Sequence, residues 1–287
     1  MKILAPAKVN LFLEVGCLEN RLHNIVSLVD IVGLYDTIEI EEAARAEVKF
    51  LSEWQIPDEN TVTKALSLFR KTFFNIKKNV RVTISKKIPP GSGLGGGSSN
   101  AAAVLLSLAS LWNVKTTEEQ LIKIASVIGS DVPLFIKGKR CIIEGTGDKI
   151  RYEGIPSVPL VYYLLVPSFA VSTGSVYKEM DILGEKGDLT EGMRKIKILN
   201  GYIMKKDISG IEVSIFNRLE RPYFNLWKKG KEVRRRVEKE TGKRFFVSGS
   251  GGTLFSVFLD RAEAEKKTRF LKIEGWKGYV VESIKTS

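Results

Sequence analysis

A glycine-rich stretch at residues 89–100, PPGSGLGGGSSN, is the part of this sequence whose composition most directly suggests chemistry. Five of the seven residues from 91 to 97 are glycine, and an apolar run, AAAVLLSLASLW, follows at once. Glycine lets backbone N–H groups turn toward a bound group, and the unpaired amides in the first turn of a helix favour an anion. The stretch therefore predicts a phosphate site, with Ser98, Ser99 and Asn100 as N-cap candidates for the helix that follows. A plain flexible turn is the alternative.

Two common nucleotide motifs do not fit this stretch. Residues 91–96 satisfy G-x-G-x-x-G, but the acidic residue that a dinucleotide site needs about 20 residues later falls in NVKTTEE, a turn between two predicted helices. A Walker A loop is excluded because no Gly-Lys-Ser/Thr ends the run. What remains is a strand, a glycine turn and a helix N-terminus that together suit a phosphate group.

The overall composition is that of a folded protein with one large domain or two modest ones. The chain has 287 residues, is 44% hydrophobic and carries a net charge of +12. This charge raises the question of nucleic-acid binding. The densest basic stretch, residues 228–244, also contains Glu232, Glu238 and Glu240, a mixture typical of a solvated helix face with paired charges.

Cysteine usage and hydropathy indicate a cytoplasmic, soluble protein. The two cysteines, Cys17 and Cys141, have no CxxC or metal-ligand spacing and suit free thiols in a reducing compartment. A structural zinc site is disfavoured because the sequence holds one histidine, His23. The N-terminus lacks the apolar region of a signal peptide, and the most apolar window, residues 158–171, is too short to span a bilayer.

Elements that position the glycine stretch can be read along the chain. KVNLFLEV (8–15) alternates as a strand, which puts Lys8 and Asn10 on one face. Further strands are predicted at 25–32, 37–42, 80–88, 159–166 and 278–284, and strand material after Pro133. A helix is predicted over 59–73 with Asn60 or Thr61 near its cap, and another from a Thr116–Glu119 capping box to about Gly129. The order of elements favours an α+β fold with a boundary near residues 150–157.

Three stretches, in order, carry a resemblance to a known family: APAKVNLFLEV (5–15), the glycine stretch with its helix, and VSGSGGTLF (247–255). They resemble the GHMP kinases, and GSDVPLF (129–135) and STGSVY (172–177) add to the similarity. The resemblance implies two domains, residues 1–154 like the second domain of ribosomal protein S5 and residues 155–287 ferredoxin-like. It also implies ATP-dependent phosphorylation of a hydroxyl. The branch it resembles most acts on a cytidine-diphosphate-linked polyol in non-mevalonate isoprenoid synthesis.

The resemblance also implies roles for individual residues. Asp131 corresponds to the base and Lys8 to its cationic partner. Mg²⁺ is expected to arrive with ATP, without a named protein ligand. Asn60 corresponds to a residue near the adenine, although an N-cap explains it equally well. The nucleotide loop corresponds to Pro89, Pro90, Gly91, Ser92, Gly93, Leu94, Gly95, Gly96, Gly97, Ser98 and Ser99.

On the acceptor side, His23 and Tyr177 correspond to residues that read and stack on cytosine. The remaining substrate residues implied are Asn10, Thr173, Gly249, Ser250 and Gly251. This chain has Asn20-Arg21-Leu22-His23 where the family has Asp-Gly-Tyr-His, so a second stacking ring is missing.

Two alternatives to this function stay open from the sequence. One is a GHMP kinase for another small alcohol, of the homoserine or mevalonate type. The other is a basic nucleic-acid-binding protein with an S5-like domain, which leaves the two glycine turns unexplained. We expect small-molecule partners, no nucleic acid or membrane, and a monomer or weak homodimer.

Overall fold

The structure, a computed structural model, describes residues 1–19, 22–73 and 78–284, and these residues divide into two compact units. The first unit comprises Met1–Ala7, Leu34–Pro90 and Gly95–Gly138, and the second comprises Lys8–Gly33, Gly91–Leu94 and Lys139–Ser287. The units alternate along the chain, and the domain boundary between residues 154 and 155 stays a prediction. Asn20 and Arg21, which take part in the departure from the family pattern, lie outside the described residues.

Helices and strands are mixed in both units, as predicted. Among the described residues the strands are β1 (Lys2–Glu19), β2 (Leu22–Ala43), β3 (Glu47–Leu51), β4 (Asn79–Ser85), β5 (Cys141–Gly145), β6 (Lys149–Arg151), β7 (Val161–Pro167), β8 (Phe216–Asn217), β9 (Phe246–Val247), β10 (Leu254–Phe258) and β11 (Trp276–Glu282). The helices of the same residues are α1 (Thr61–Thr72), α2 (Gly96–Leu111), α3 (Glu118–Ile128), α4 (Leu134–Lys137), α5 (Thr173–Ile182), α6 (Leu189–Lys205), α7 (Ile208–Ser214), α8 (Glu220–Leu226), α9 (Lys228–Thr241) and α10 (Arg261–Thr268).

The first unit combines α1 to α4 with β3, β4 and the later part of β2. β2 pairs antiparallel with β4 from Thr37↔Ser85 to Ala43↔Asn79, and β3 pairs parallel with β4. α1 forms because Asn60 and Thr63 make a capping box and because its buried residues recur at helical spacing. α2 is buried along most of its length, and its C-cap residue Trp112 packs against Phe69 of α1 with ring centroids 5.9 Å apart.

The second unit contains a four-stranded antiparallel sheet in the order β11-β7-β10-β9. Every residue of β7 is buried, as its unbroken apolar run VYYLLVP suggests for a central strand. In the same unit β2 pairs antiparallel with β5 from Ile25↔Gly145 to Val29↔Cys141, and β1 pairs parallel with the short β8. These pairings begin two residues after Asn10 in β1 and two residues after His23 in β2.

The predicted start of α2 was wrong. Ser98, Ser99 and Asn100 lie inside the helix, and the N-cap is Gly95 in the left-handed conformation, with no side-chain cap. Glycine adopts a left-handed N-cap conformation at little cost, so the helix can begin at Gly96, two residues before the first serine.

Three smaller expectations also changed. The capping box of α3 is formed by Thr117 and Gln120, because the Gln120 side chain accepts from the Thr117 amide, rather than by Thr116 and Glu119. Residues 134–137 form the short helix α4 instead of strand, since a brief buried apolar run does not distinguish the two by pattern. The strands predicted at 25–32 and 37–42 are parts of one strand, β2.

Candidate active site

The glycine stretch owes its path to residues with positive φ. Gly91, Gly93 and Gly95 have φ values of +63°, +80° and +71°. Residues that carry a side chain rarely adopt positive φ, whereas glycine does so at little cost. Alternating glycines of this kind turn successive backbone N–H groups toward one side, an arrangement that suits an anion.

The first turn of α2 supplies further donors in the first unit. The first bond of this helix runs from Ser99 N to Gly95 O at 2.9 Å, so the amides of Gly96, Gly97 and Ser98 precede the helical ladder. The Ser99 hydroxyl is buried and has no hydrogen-bond partner within the part of the chain that the structure describes. A buried polar group without a partner is costly, and a phosphate oxygen would satisfy it. These donors fit the phosphates of a nucleotide.

A buried ion pair in the first unit anchors the segment before the glycine stretch. Asp36 of β2 is fully buried and pairs with the Lys86 ammonium. Its carboxylate also accepts from Lys87 N at 2.7 Å, Ile88 N at 2.8 Å and Asn100 Nδ2 of α2 at 2.9 Å. Burial lowers the pKa of Lys86, and Asp36 opposes that shift. One carboxylate thus joins a strand, the chain leading to the loop, and α2.

In the second unit, residues 91–94 lie backbone to backbone against the second glycine turn. Thr253 N donates to Ser92 O at 3.1 Å, and Ser248 Oγ donates to Gly93 O at 3.1 Å. A Cβ on Gly251 would lie 2.0 Å from Gly93 N, and one on Gly93 would lie 2.1 Å from Ser248 O. The approach therefore requires glycine on both sides.

Lys8 and Asn10 come together beside the same turn. Both side chains are buried, and Lys8 Nζ donates to Asn10 Oδ1 at 2.6 Å. A Cβ on Gly249 would lie 3.1 Å from each of these two atoms, so the absence of a side chain there leaves room for the pair. The predicted residues Lys8, Asn10 and Gly249 are thus neighbours.

One face of α5 lines up three further residues of the second unit. Thr173, Tyr177 and Asp181 follow at intervals of four, about 12 Å from first to last. Thr173 Oγ1 accepts from Ser250 Oγ at 2.8 Å. The Tyr177 ring lies 5.2 Å from the His23 ring, centroid to centroid, and His23 Nε2 is 2.9 Å from Asp181 Oδ1.

Leu22 marks the departure from the family pattern. It begins β2 directly before His23, and 56% of its surface is exposed.

Asn60 and Asp131 are both in the first unit. The Asn60 amide is engaged at the cap of α1, since Oδ1 accepts from Val62 N and Thr63 N while Nδ2 donates to Pro57 O and Asp58 O. Its placement near the adenine stays a prediction.

Asp131 is half-buried in the turn between α3 and α4. Lys8 belongs to the other unit, and its pairing with Asp131 also stays a prediction.

Sequence reasoning missed Asp36, Lys86, Ser27 and Asp181. One feature of the sequence could have indicated Asp36: it is a carboxylate within the otherwise strand-like IVGLYDTIEI. Asp181 shares the face of α5 with Tyr177 at a spacing of four residues, which a helical projection reveals only once the helix is assigned. Ser27 carries no signal of this kind.

The described residues offer neither a metal-ligand cluster nor a membrane-spanning helix. They contain no cluster of three or more His, Cys, Asp or Glu side chains placed to hold a metal ion. In the same residues no helix has both the length and the apolar character needed to cross a membrane.

Comparison with known proteins assigns the family. The GHMP kinases N-terminal domain matches residues 60–139, which include Asn60, the glycine stretch and Asp131. A 4-diphosphocytidyl-2-C-methyl-D-erythritol kinase from Persephonella marina is 36% identical over 96% of this chain and 97% of its own. One from Sulfurihydrogenibium sp. is 36% identical over 96% and 98%.

Solved structures agree with this assignment. A 4-(cytidine 5′-diphospho)-2C-methyl-D-erythritol kinase superposes with a TM-score of 0.80 and 29% identity, covering 98% of each chain. Homoserine kinase from Cytophaga hutchinsonii shares the fold, with a TM-score of 0.74 and 18% identity over 99% of this chain and 94% of its own. The α+β GHMP kinase fold is therefore confirmed, and the protein is an ATP-dependent kinase. The chain belongs to the 4-diphosphocytidyl-2-C-methyl-D-erythritol kinase family of the GHMP kinases.

Proposed function

We propose that this chain transfers the γ-phosphoryl group of ATP to the 2-hydroxyl of 4-diphosphocytidyl-2-C-methyl-D-erythritol, a step in isoprenoid precursor synthesis. The choice of substrate is supported by the similarity of this chain to kinases that are named for it. The observation in this chain that carries the proposal is His23, held between the ring of Tyr177 and the carboxylate of Asp181.

The arrangement around His23 suits cytosine better than uracil. Asp181 accepts from Nε2–H, so in the neutral ring Nδ1 carries the lone pair and acts as an acceptor. Cytosine offers an amino donor at the edge where uracil offers a carbonyl acceptor. An acceptor that faces uracil would leave two desolvated lone pairs opposed, which disfavours binding. Tyr177 supplies an aromatic face for the base, and the exposed Leu22 covers the other face by apolar contact.

The donors of the glycine stretch hold the nucleotide phosphates. We assign this role to the amides of Gly96, Gly97 and Ser98 and to the Ser99 hydroxyl, which lacks a partner among the described residues. Mg²⁺ would arrive bound to ATP and would supply charge neutralisation at its phosphates. The turn at Gly249, Ser250 and Gly251 faces the substrate diphosphate.

Asp131 and Lys8 act on the reacting groups. Asp131 accepts the proton of the 2-hydroxyl as the new O–P bond forms and the bond from the γ-phosphorus to the ADP oxygen breaks. The Lys8 ammonium, oriented by Asn10, stabilises the charge that develops on the transferred group.

A reducing, cytoplasmic location suits the same protein. Neither Cys17, which is exposed, nor Cys141, which is buried, forms a disulfide.

The proposal is tested by substrate selectivity. We expect the wild-type protein to turn over the cytidine substrate with a kcat/KM roughly 10- to 100-fold above that of its uridine counterpart, the range expected for one mismatched buried group. His23→Ala should remove most of this preference. Asp181→Asn should reduce it, because an amide both donates and accepts and no longer fixes the ring tautomer.

Glu179→Gln is the matched control, since Glu179 is on the same helix and bonds Asn225 rather than His23. Its selectivity should equal that of the wild type. Equal kcat/KM for the two nucleotides in the wild type, or faster turnover of homoserine or mevalonate in the same assay, would overturn the proposed substrate.

A further inference from the structure

A chain of three buried hydrogen bonds runs behind Lys8 in the second unit. Lys8 Nζ donates to Asn10 Oδ1 at 2.6 Å, Asn10 Nδ2 donates to Ser27 Oγ at 2.9 Å, and Ser27 Oγ donates to the Phe12 carbonyl at 2.6 Å. Asn10 is 7% exposed and Ser27 is fully buried. At this depth each lost bond leaves a polar atom without water to replace its partner.

The direction of every bond follows from the last one. A serine hydroxyl has a single proton, and here that proton is committed to the Phe12 carbonyl. Toward Asn10, Ser27 therefore presents only lone pairs, and the side of the amide that faces it must be Nδ2. The amide oxygen is then forced to face Lys8, whose ammonium can only donate. Ser27 thus selects one of the two orientations of the Asn10 amide.

Backbone contacts hold Ser27 and Asn10, two members of this series of hydrogen bonds. Ser27 lies in β2, opposite Ile143 of β5. The backbone N–H of Asn10 donates to Ser248 Oγ at 3.3 Å, next to the glycine turn that makes room for Lys8. With the backbone held, only the side-chain torsions of Asn10 and Lys8 could vary, and the hydrogen bonds restrict those torsions.

We propose that Ser27 is a positioning residue for phosphoryl transfer: by orienting the Asn10 amide it fixes the Lys8 ammonium. The inference rests on the proposed function, in which Lys8 acts on the transferred group. Ser27 acts through Asn10 and binds neither substrate.

A double-mutant cycle on kcat tests this role. Ser27→Ala should lower kcat about five- to tenfold, the effect of losing one orienting hydrogen bond, and should leave the KM for ATP within about twofold. In an Asn10→Ala background, Ser27→Ala should change kcat by less than about twofold, because the group it orients is gone. A role limited to packing would lower kcat by the same factor in both backgrounds.

Ser256→Ala is the matched control. Ser256 is a fully buried serine of the same unit, and its hydroxyl has no partner among the described residues, so kcat should not change. Should Ser27→Ala fail to fold, Ser27→Cys carries the same cycle, since a thiol keeps the volume but accepts only weakly.

The outcomes separate the two proposals. A wild-type protein without activity on the cytidine-diphosphate alcohol refutes the proposed function itself. An active wild type with unchanged kcat in Ser27→Ala, or with equal losses in both backgrounds, overturns the role of Ser27 alone.

Discussion

Removing the charge of Asp36 should destabilise the first unit severely. The Asp36 side chain is fully buried and that of Lys86 is 4% exposed, so water screens neither charge. In Asp36→Asn the Lys86 ammonium loses its counter-charge, and the new side-chain NH₂ group faces two other donors, Lys86 Nζ and Asn100 Nδ2. Breaking a buried pair in this way costs about 3–5 kcal/mol. A typical protein has about 5–15 kcal/mol of stability in total.

The measurement is urea unfolding at equilibrium, together with hydrogen exchange of peptides from α2, which Asn100 joins to Asp36. We expect a lower unfolding midpoint and faster exchange in α2. Asp36→Asn/Lys86→Met should recover part of the loss, because the stranded ammonium is replaced by an apolar side chain of similar length.

The stability that Asp36→Asn loses should also depend on pH, and the direction of this dependence can be worked out. Burial already lowers the pKa of Lys86 in the folded protein, and without Asp36 it falls further. Between that pKa and the ordinary value of 10.5 the unfolded chain binds more protons than the folded one. The stability of Asp36→Asn should therefore rise as the pH increases toward 10.5.

Glu41→Gln is the control, because Glu41 is in the same strand and forms an exposed ion pair with Arg81. Its unfolding midpoint should equal that of the wild type. The reasoning is refuted if Asp36→Asn loses less than about 1 kcal/mol, well below the cost of breaking a buried pair. It is equally refuted if the double variant is no more stable than Asp36→Asn.

Three further predictions concern catalysis, the glycine stretch and alkaline stability. Asp131→Asn should retain ATP binding by calorimetry and lower kcat by about 10²–10⁴, and near-normal turnover would remove Asp131 from the mechanism. Gly97→Ala should fold normally, but its Cβ should crowd a phosphate bound at the residue 97 amide and weaken ATP binding at least about tenfold. Gly96→Ala should instead lower the Tm, because a Cβ there would lie 2.8 Å from Ile88 Cγ2. Burial raises the pKa of Tyr163 to about 12, so between pH 10 and 12 the folded protein keeps a proton that the unfolded chain loses and stability should fall with pH. Tyr163→Phe should make that fall shallower, and an unchanged slope would contradict the assignment.

Local sequence determined the elements whose conformation depends on near neighbours. The capping box of α1 spans four residues, and the left-handed turns at Gly91, Gly93 and Gly95 follow from the lack of a Cβ. The strand at 8–15 and the helix after the glycine stretch were predicted on this basis, whereas the resemblance to the GHMP kinases came from three motifs spread along the chain. The start of α2 was misplaced because serine caps and a glycine cap compete locally, and the sequence alone did not rank them.

Tertiary structure decided which distant residues meet. Asn10 and Ser248 are 238 positions apart, yet their hydrogen bond sets the glycine turn beside Lys8. Asp36 finds its partners 50 to 64 positions later, and the Ser27–Asn10–Lys8 chain depends on the register of β2. Such contacts leave no pattern in the nearby sequence, because the energy of a buried polar group depends on whether the fold brings it a partner.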